Sequence, residues 1–222
     1  MFLTGVVVLA GWLFNVTILK SFHAGLIAMK PNTAVWFILL GMSLWLSQTK
    51  RTGPRSRFVA QACALVAALV ALATLLEYGL ARDLGIDRLW FTEAPEMSKY
   101  SPPGRMTPMT AWILLFNGLG LLGLDWVGPR NTRPAQILAL LAGACSLLGM
   151  FGYIYGAFAF LGPTLAFVAM SLPTALVSSL LCAGLLCARN FVLIDSPLRS
   201  DYYPVHVSIA VRVVFSPAIP AT

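Results

Sequence analysis

Five stretches of the chain contain no Asp, Glu, Lys or Arg: residues 1–19, 31–49, 58–76, 106–124 and 134–188. Each of the first four matches one bilayer-crossing helix, because ~20 residues rising about 1.5 Å each cover a hydrocarbon core of ~30 Å. The fifth is too long for a single helix, and Gly162-Pro163 near its middle divides it. The pattern predicts an all-α integral membrane domain over residues 1–189, a six-transmembrane-helix bundle with spans at about 4–22, 32–48, 58–79, 108–127, 135–158 and 167–188. Residues 190–222 differ in character. Pro197, Pro204, Pro217 and Pro220 break them up, and the apolar run Val205 to Phe215 is interrupted by His206 and Arg212 and too short to span. This segment reads as a weakly structured cytoplasmic tail.

Within this frame a phrase recurs at the start of every even-numbered span: Met29-Lys30-Pro31-Asn32-Thr33-Ala34, Met106-Thr107-Pro108-Met109-Thr110-Ala111 and Met170-Ser171-Leu172-Pro173-Thr174-Ala175. The Thr residues are spaced 77 and then 64 positions apart. A repeated phrase implies a repeated unit. The natural unit is a helical hairpin of one odd and one even span, so the bundle is read as three parallel-repeated helical hairpins. Tyr78-Gly79 and Tyr155-Gly156, 77 residues apart near the ends of spans three and five, mark the same offset.

Hydrophobic residues make up 59% of the chain and charged residues 10%, with mean hydropathy +0.82, a balance unlike that of a soluble domain. The net charge of +7 points to topology and not to nucleic acid, because of where it falls. Lys50, Arg51, Arg55 and Arg57 follow span two, Arg130 and Arg133 follow span four, and Arg189 follows span six. By the positive-inside rule those loops and both termini are cytoplasmic, and the three phrases face outward. No Lys or Arg precedes the first apolar stretch and Lys20-Ser21-Phe22-His23-Ala24 is a poor cleavage site, so span one is read as retained. Cys63, Cys145, Cys182 and Cys187 lie in apolar spans without metal-ligand spacing and read as small buried residues.

Two readings of the phrase compete. Thr107 before Pro108, and Ser171 before Leu172-Pro173, can cap helix starts while Pro in the first turn loses no hydrogen bond. Alternatively, Thr33, Thr110 and Thr174 converge on an outer pocket, where helix N-termini favour a polar or acidic ligand. Glu77, at the outer edge of span three, is the candidate proton- or cation-responsive group, and Arg105 with Asp87-Arg88 is a candidate holder of a lid formed by residues 80–105. Asn15 and Asn117 lie deepest and suit interhelical hydrogen bonds, and Asn117 is in addition a candidate ligand-binding residue. Asp125 is expected to pair locally with Arg130 or Arg133. The glycines, Gly149, Gly152 and Gly156 among them, suit close helix packing.

His23 and His206 lie on opposite predicted sides, so one subunit cannot offer bis-histidine haem ligation, and no cofactor is assigned. No catalytic triad, HExxH or phosphate loop stands out, so an enzyme is not expected.

Met29 to Ala34 followed by Gly41-Met42-Ser43-Leu44-Trp45-Leu46, with Gly85-Ile86-Asp87-Arg88-Leu89, Pro103-Gly104-Arg105-Met106 and Gly152-Tyr153-Ile154-Tyr155-Gly156, resembles the N-terminal multi-helix membrane region of bacterial sensor proteins, which precedes PAS, histidine-kinase or diguanylate-cyclase domains. The resemblance covers roughly residues 10–189. It implies a sensory input module in a bacterial cytoplasmic membrane, with the lipid bilayer as its surroundings and a separate cytoplasmic output protein or a second copy of the chain as its partner, since residues 190–222 match no output domain. The competing classes are a small-solute transporter or channel and a structural assembly partner. Against transport, parallel hairpins without broken central helices or paired intramembrane charges differ from the usual transporter plan.

Overall fold

Proline opens four helices and stands second in a fifth, positions at which its missing N–H would have had no intrahelical acceptor. The computed structural model describes residues 2–14, 16–21, 27–48, 53–82, 85, 105–128, 132–155 and 170–188. Among them run α1 (Phe2–Leu13), α2 (Thr17–Ser21), α3 (Pro31–Gln48), α4 (Pro54–Leu80), α5 (Pro108–Leu122), α6 (Pro134–Ile154) and α7 (Leu172–Cys187), with no strand. The Gly162-Pro163 break, most of the 80–105 loop and the 190–222 tail lie outside the described residues.

Apart from α4, which overruns its charge-free window at both ends, the described helices are shorter than those windows, because hydropathy registers the medium a segment suits and not where its helix ends. The predicted span 4–22 is two helices. The Val16 amide donates to the Gly11 carbonyl (2.9 Å), and a Cβ on Gly11 would stand 2.6 Å from Leu19 Cβ, so glycine there lets α2 fold back onto α1. Gly123 closes α5 five residues short of its expected end at 127, its amide donating to Leu119 at 2.9 Å. Span five ends at Ile154 and not 158, and α7 begins at Leu172 and not 167. Two helices, α4 with 27 residues and α6 with 21, are long and apolar enough to cross a bilayer.

Helices α3, α5 and α7 touch one another at the centre. Helix α4 packs on α5 and α3, α6 on α7 and α5, and α1 on α3, while α2 reaches α7. Helices α4 and α6 thus each fit between two central ones, while the α1–α2 pair touches α3 through α1 and α7 through α2. The buried face of α4 is Ala60, Ala64, Ala67, Ala68, Ala71, Thr74 and Glu77, spaced three and four apart along one stripe. Its opposite face exposes Phe58, Leu65, Leu69, Leu72 and Leu76. Helix α6 repeats this arrangement, burying Ala139, Ala142, Ser146 and Gly149 while exposing Leu140, Leu141, Leu147 and Leu148. Large apolar side chains point outward and small or polar ones inward, the reverse of a water-exposed helix.

The small faces allow backbone-level contact. A Cβ on Gly118 would lie 2.9 Å from Ala68 Cβ and 3.1 Å from the Ala64 carbonyl oxygen. At the opposite end of the bundle from the phrases, Asp125 meets Arg57 of α4 at 2.6 Å, a tie across helices where a local pair with Arg130 or Arg133 was expected. Of the four cysteines only Cys182 is buried; Cys63 and Cys145 are half-buried and Cys187 is exposed.

Candidate functional site

Thr33, Thr110 and Thr174 are each the third residue of their helix, α3, α5 and α7. The shift of proline from Pro31 and Pro108 to Pro173 therefore leaves the Thr in register. Just before each helix, the carbonyl of the phrase's Met accepts a hydrogen bond from an aromatic side chain of the preceding outer helix. Trp12 Nε1 donates to Met29 O (2.9 Å), Tyr78 Oη to Met106 O (3.0 Å) and Tyr153 Oη to Met170 O (2.7 Å). All three methionines are buried. The expected second mark, Tyr155, is the wrong tyrosine, being 75% exposed. The signal available in the sequence was the separation of 17 residues shared by Trp12–Met29 and Tyr153–Met170.

The capping reading holds for one helix start. Ser171 Oγ accepts from the Thr174 amide at 3.3 Å, whereas Thr107 makes no side-chain cap and instead pairs its hydroxyl with Thr110 Oγ1 at 3.0 Å. The equivalent hydroxyl pair Ser171–Thr174 spans 2.7 Å.

These helix starts line a partly open pocket of about 30 Å³, whose polar lining is Lys30, Thr33, Thr107, Thr110, Ser171 and Thr174. Met106 and Met170 supply apolar wall. Glu77 does not line it. Its carboxylate, 1% exposed, faces Arg105 with Nε 3.1 Å from Oε2, and the Arg105 guanidinium lies 5.5 Å from the Tyr78 ring centroid. Arg105, expected at a lid, is thereby drawn inward to α4; Asp87 and Arg88 lie outside the described residues. The Arg105 backbone oxygen in turn accepts from Lys30 Nζ at 2.5 Å, joining the buried pair to the cavity wall.

Asn117 does not reach the cavity. Buried about two turns further along α5, it donates to Ile113 O (2.9 Å) and accepts from Cys182 Sγ (3.5 Å), beside a Ser146–Ser178 contact of 2.6 Å between α6 and α7. These groups satisfy one another inside the bundle, as buried polar groups must. Asn15 and His23 lie outside the described residues. Among the described residues no three His, Cys, Asp or Glu side chains cluster to hold a metal.

Among the described residues the regular structure is thus all helical, with two helices long and apolar enough to cross a membrane and a hydroxyl-lined pocket where three helix starts meet. Comparison with protein-family models, with characterised proteins and with solved structures finds no match.

Proposed function

We propose that this chain is a membrane-embedded sensory module of a bacterial cytoplasmic membrane, a six-span bundle of three repeated hairpins whose input site is the cavity at the helix starts, and that it acts through a separate output protein or a second copy. The observation that carries this reading is the convergence of Thr33, Thr110 and Thr174, distant in sequence, on one polar cavity. The inverted distribution of side chains supports the membrane setting, since contiguous exposed faces of Leu, Val and Phe far exceed what a water-soluble monomer displays. The recurrent aromatic-to-carbonyl bond supports the repeat. A signal at the cavity would be transmitted along α3, α5 and α7, which run from it and touch one another.

The test is to fuse the full chain at its C-terminus to a diguanylate cyclase and compare Thr110→Val and Glu77→Gln with the parent across external pH and small solutes. Altered responses in both variants are expected. A fusion that responds to a stimulus identically in all three forms refutes the assignment of the input site. Cysteine labelling in a background without native Cys is expected to place Ser56 and Thr132 inside and Ser98 outside; Ser98 labelled from the cytoplasmic face refutes the topology.

A further inference from the structure

Resting on the membrane setting and the inward-facing basic end proposed above, we infer that an acidic phospholipid of the inner leaflet binds where the start of α4, the end of α5 and the start of α6 meet. Its phosphate lies among Arg55, Arg57 and Arg133, and an acyl chain lies along α5. The first argument is where charge gathers. Arg57 reaches from α4 to Asp125, just past the end of α5, with Nη2 2.6 Å from Oδ2. The Gly128 amide donates to the Thr132 carbonyl at 2.8 Å, closing a turn that returns the chain to Arg133, the residue before α6. Two residues further on, the Ala135 carbonyl oxygen lies 3.5 Å from where a Cβ on Gly120 would stand, so Arg133 is beside the last turn of α5. Three arginines thus gather round one carboxylate, which orients Arg57 and is outnumbered. The connections over residues 49–53 and 123–133 add Lys50, Arg51 and Arg130 and no other Asp or Glu. Among the described residues nothing pairs with Arg55, and Arg133 Nε has no hydrogen-bond acceptor.

The second argument is depth. Trp45 stands near the end of α3, Phe58 in the second turn of α4 and Trp126 next to Asp125, and all three are exposed. Exposed tryptophans at one level mark the headgroup region of a bilayer, which sets these arginines at the height of the lipid phosphates. The third argument is shape. On α5, Gly118 faces Ala68 of α4 while Gly120 faces Ala135 of α6, so the two outer helices flank it. The strip they leave uncovered holds Trp112 and Leu119, exposed, and Phe116, half-buried, at spacings of four and three that keep them on one face running toward Asp125. An apolar strip that ends in guanidinium groups matches a molecule joining an acyl chain to a phosphate, and the guanidinium fork suits phosphate oxygens. A free phosphate would use the arginines and not the strip.

The experiment uses the purified full chain in a neutral detergent, with native mass spectrometry counting bound lipid during titration with phosphatidylglycerol or phosphatidylcholine of identical acyl chains. Phosphatidylglycerol is expected to bind about tenfold or more tightly than phosphatidylcholine, and excess glycerol phosphate, which lacks the chains, should not displace it. Arg55→Gln and Arg133→Gln should each weaken phosphatidylglycerol binding about fivefold, whereas Arg82→Gln, an exposed arginine just past the other end of α4, should leave it unchanged. Arg55 is exposed, so its variant still reports if Arg133→Gln does not fold. Equal affinity for the two lipids, equal losses in all three variants, unchanged binding in both Arg55→Gln and Arg133→Gln, or displacement by glycerol phosphate overturns the lipid site. Binding in detergent is independent of sidedness. If Ser98 labels from the cytoplasmic face while phosphatidylglycerol binds through these arginines, the topology falls and the lipid site stands in the other leaflet; if the topology holds and the two lipids bind alike, the reverse follows.

Discussion

Glu77 and Arg105 offer the sharpest test of how this bundle is held together, because the protein carries its own control. Their side chains are 0% and 10% exposed, whereas those of Asp125 and Arg57, the ion pair at the other end, are 46% and 62% exposed. Neutralising one member of a buried pair leaves the other charge without water or counter-charge and costs ~3–5 kcal/mol. The same change in an exposed pair costs ~0–1 kcal/mol, since solvent screens both partners. Glu77→Gln is therefore expected to lower the unfolding midpoint by roughly 6–20 °C for a chain of this size, and Asp125→Asn by no more than about 4 °C. Arg105→Gln should resemble Glu77→Gln. The double variant should be less destabilised than the sum, with a coupling of ~0.5–3 kcal/mol, because no orphaned charge remains. Thiol-reactive dye unfolding suits the measurement once Cys63, Cys145 and the exposed Cys187 are replaced by Ser, as the remaining Cys182 is buried and becomes labelled only when α5 and α7 part. Equal small losses from Glu77→Gln and Asp125→Asn would refute the reasoning and return Glu77 to the role of an interface marker.

Gly118→Ala should destabilise by about 1–3 kcal/mol despite its better helix propensity, because its Cβ meets the Ala64 and Ala68 backbone. Gly149→Ala should cost less in the same unfolding assay, since the atom its added Cβ would meet first is the terminal methyl of Met170, which can swing aside. Tyr153→Phe orphans the Met170 carbonyl and should cost about 0.5–1.5 kcal/mol, with Tyr155→Phe within about 0.5 kcal/mol of the parent; the opposite ranking would restore the Tyr155 mark. Ser171→Ala should cost about 0.5–2 kcal/mol through its lost cap on the Thr174 amide; a silent substitution, read by the same dye, would remove the cap.

Much of this protein is legible without its fold. Proline at the starts of α3 to α7 and long charge-free runs mark where helices exist, since those are properties of a segment and the medium it suits. The register of Thr33, Thr110 and Thr174 is legible too, because a local phrase positions each one relative to its own helix start. What the segment alone does not contain is which way it is turned and where it folds back. The window 1–19 is uninterrupted in hydropathy, yet its helix stops at Leu13, because α2 has a surface on α1 at Gly11 to fold against. Asp125 has arginines a few residues away and takes one 68 positions back, because α4 and α5 lie side by side. Arg105 leaves the loop for Glu77 for the same reason. Tyr153 and Tyr155 are alike in type and only two positions apart in sequence, but two residues turn a helix by about 200°. Only the packing of α6 on α7 decides that the first meets Met170 while the second faces outward.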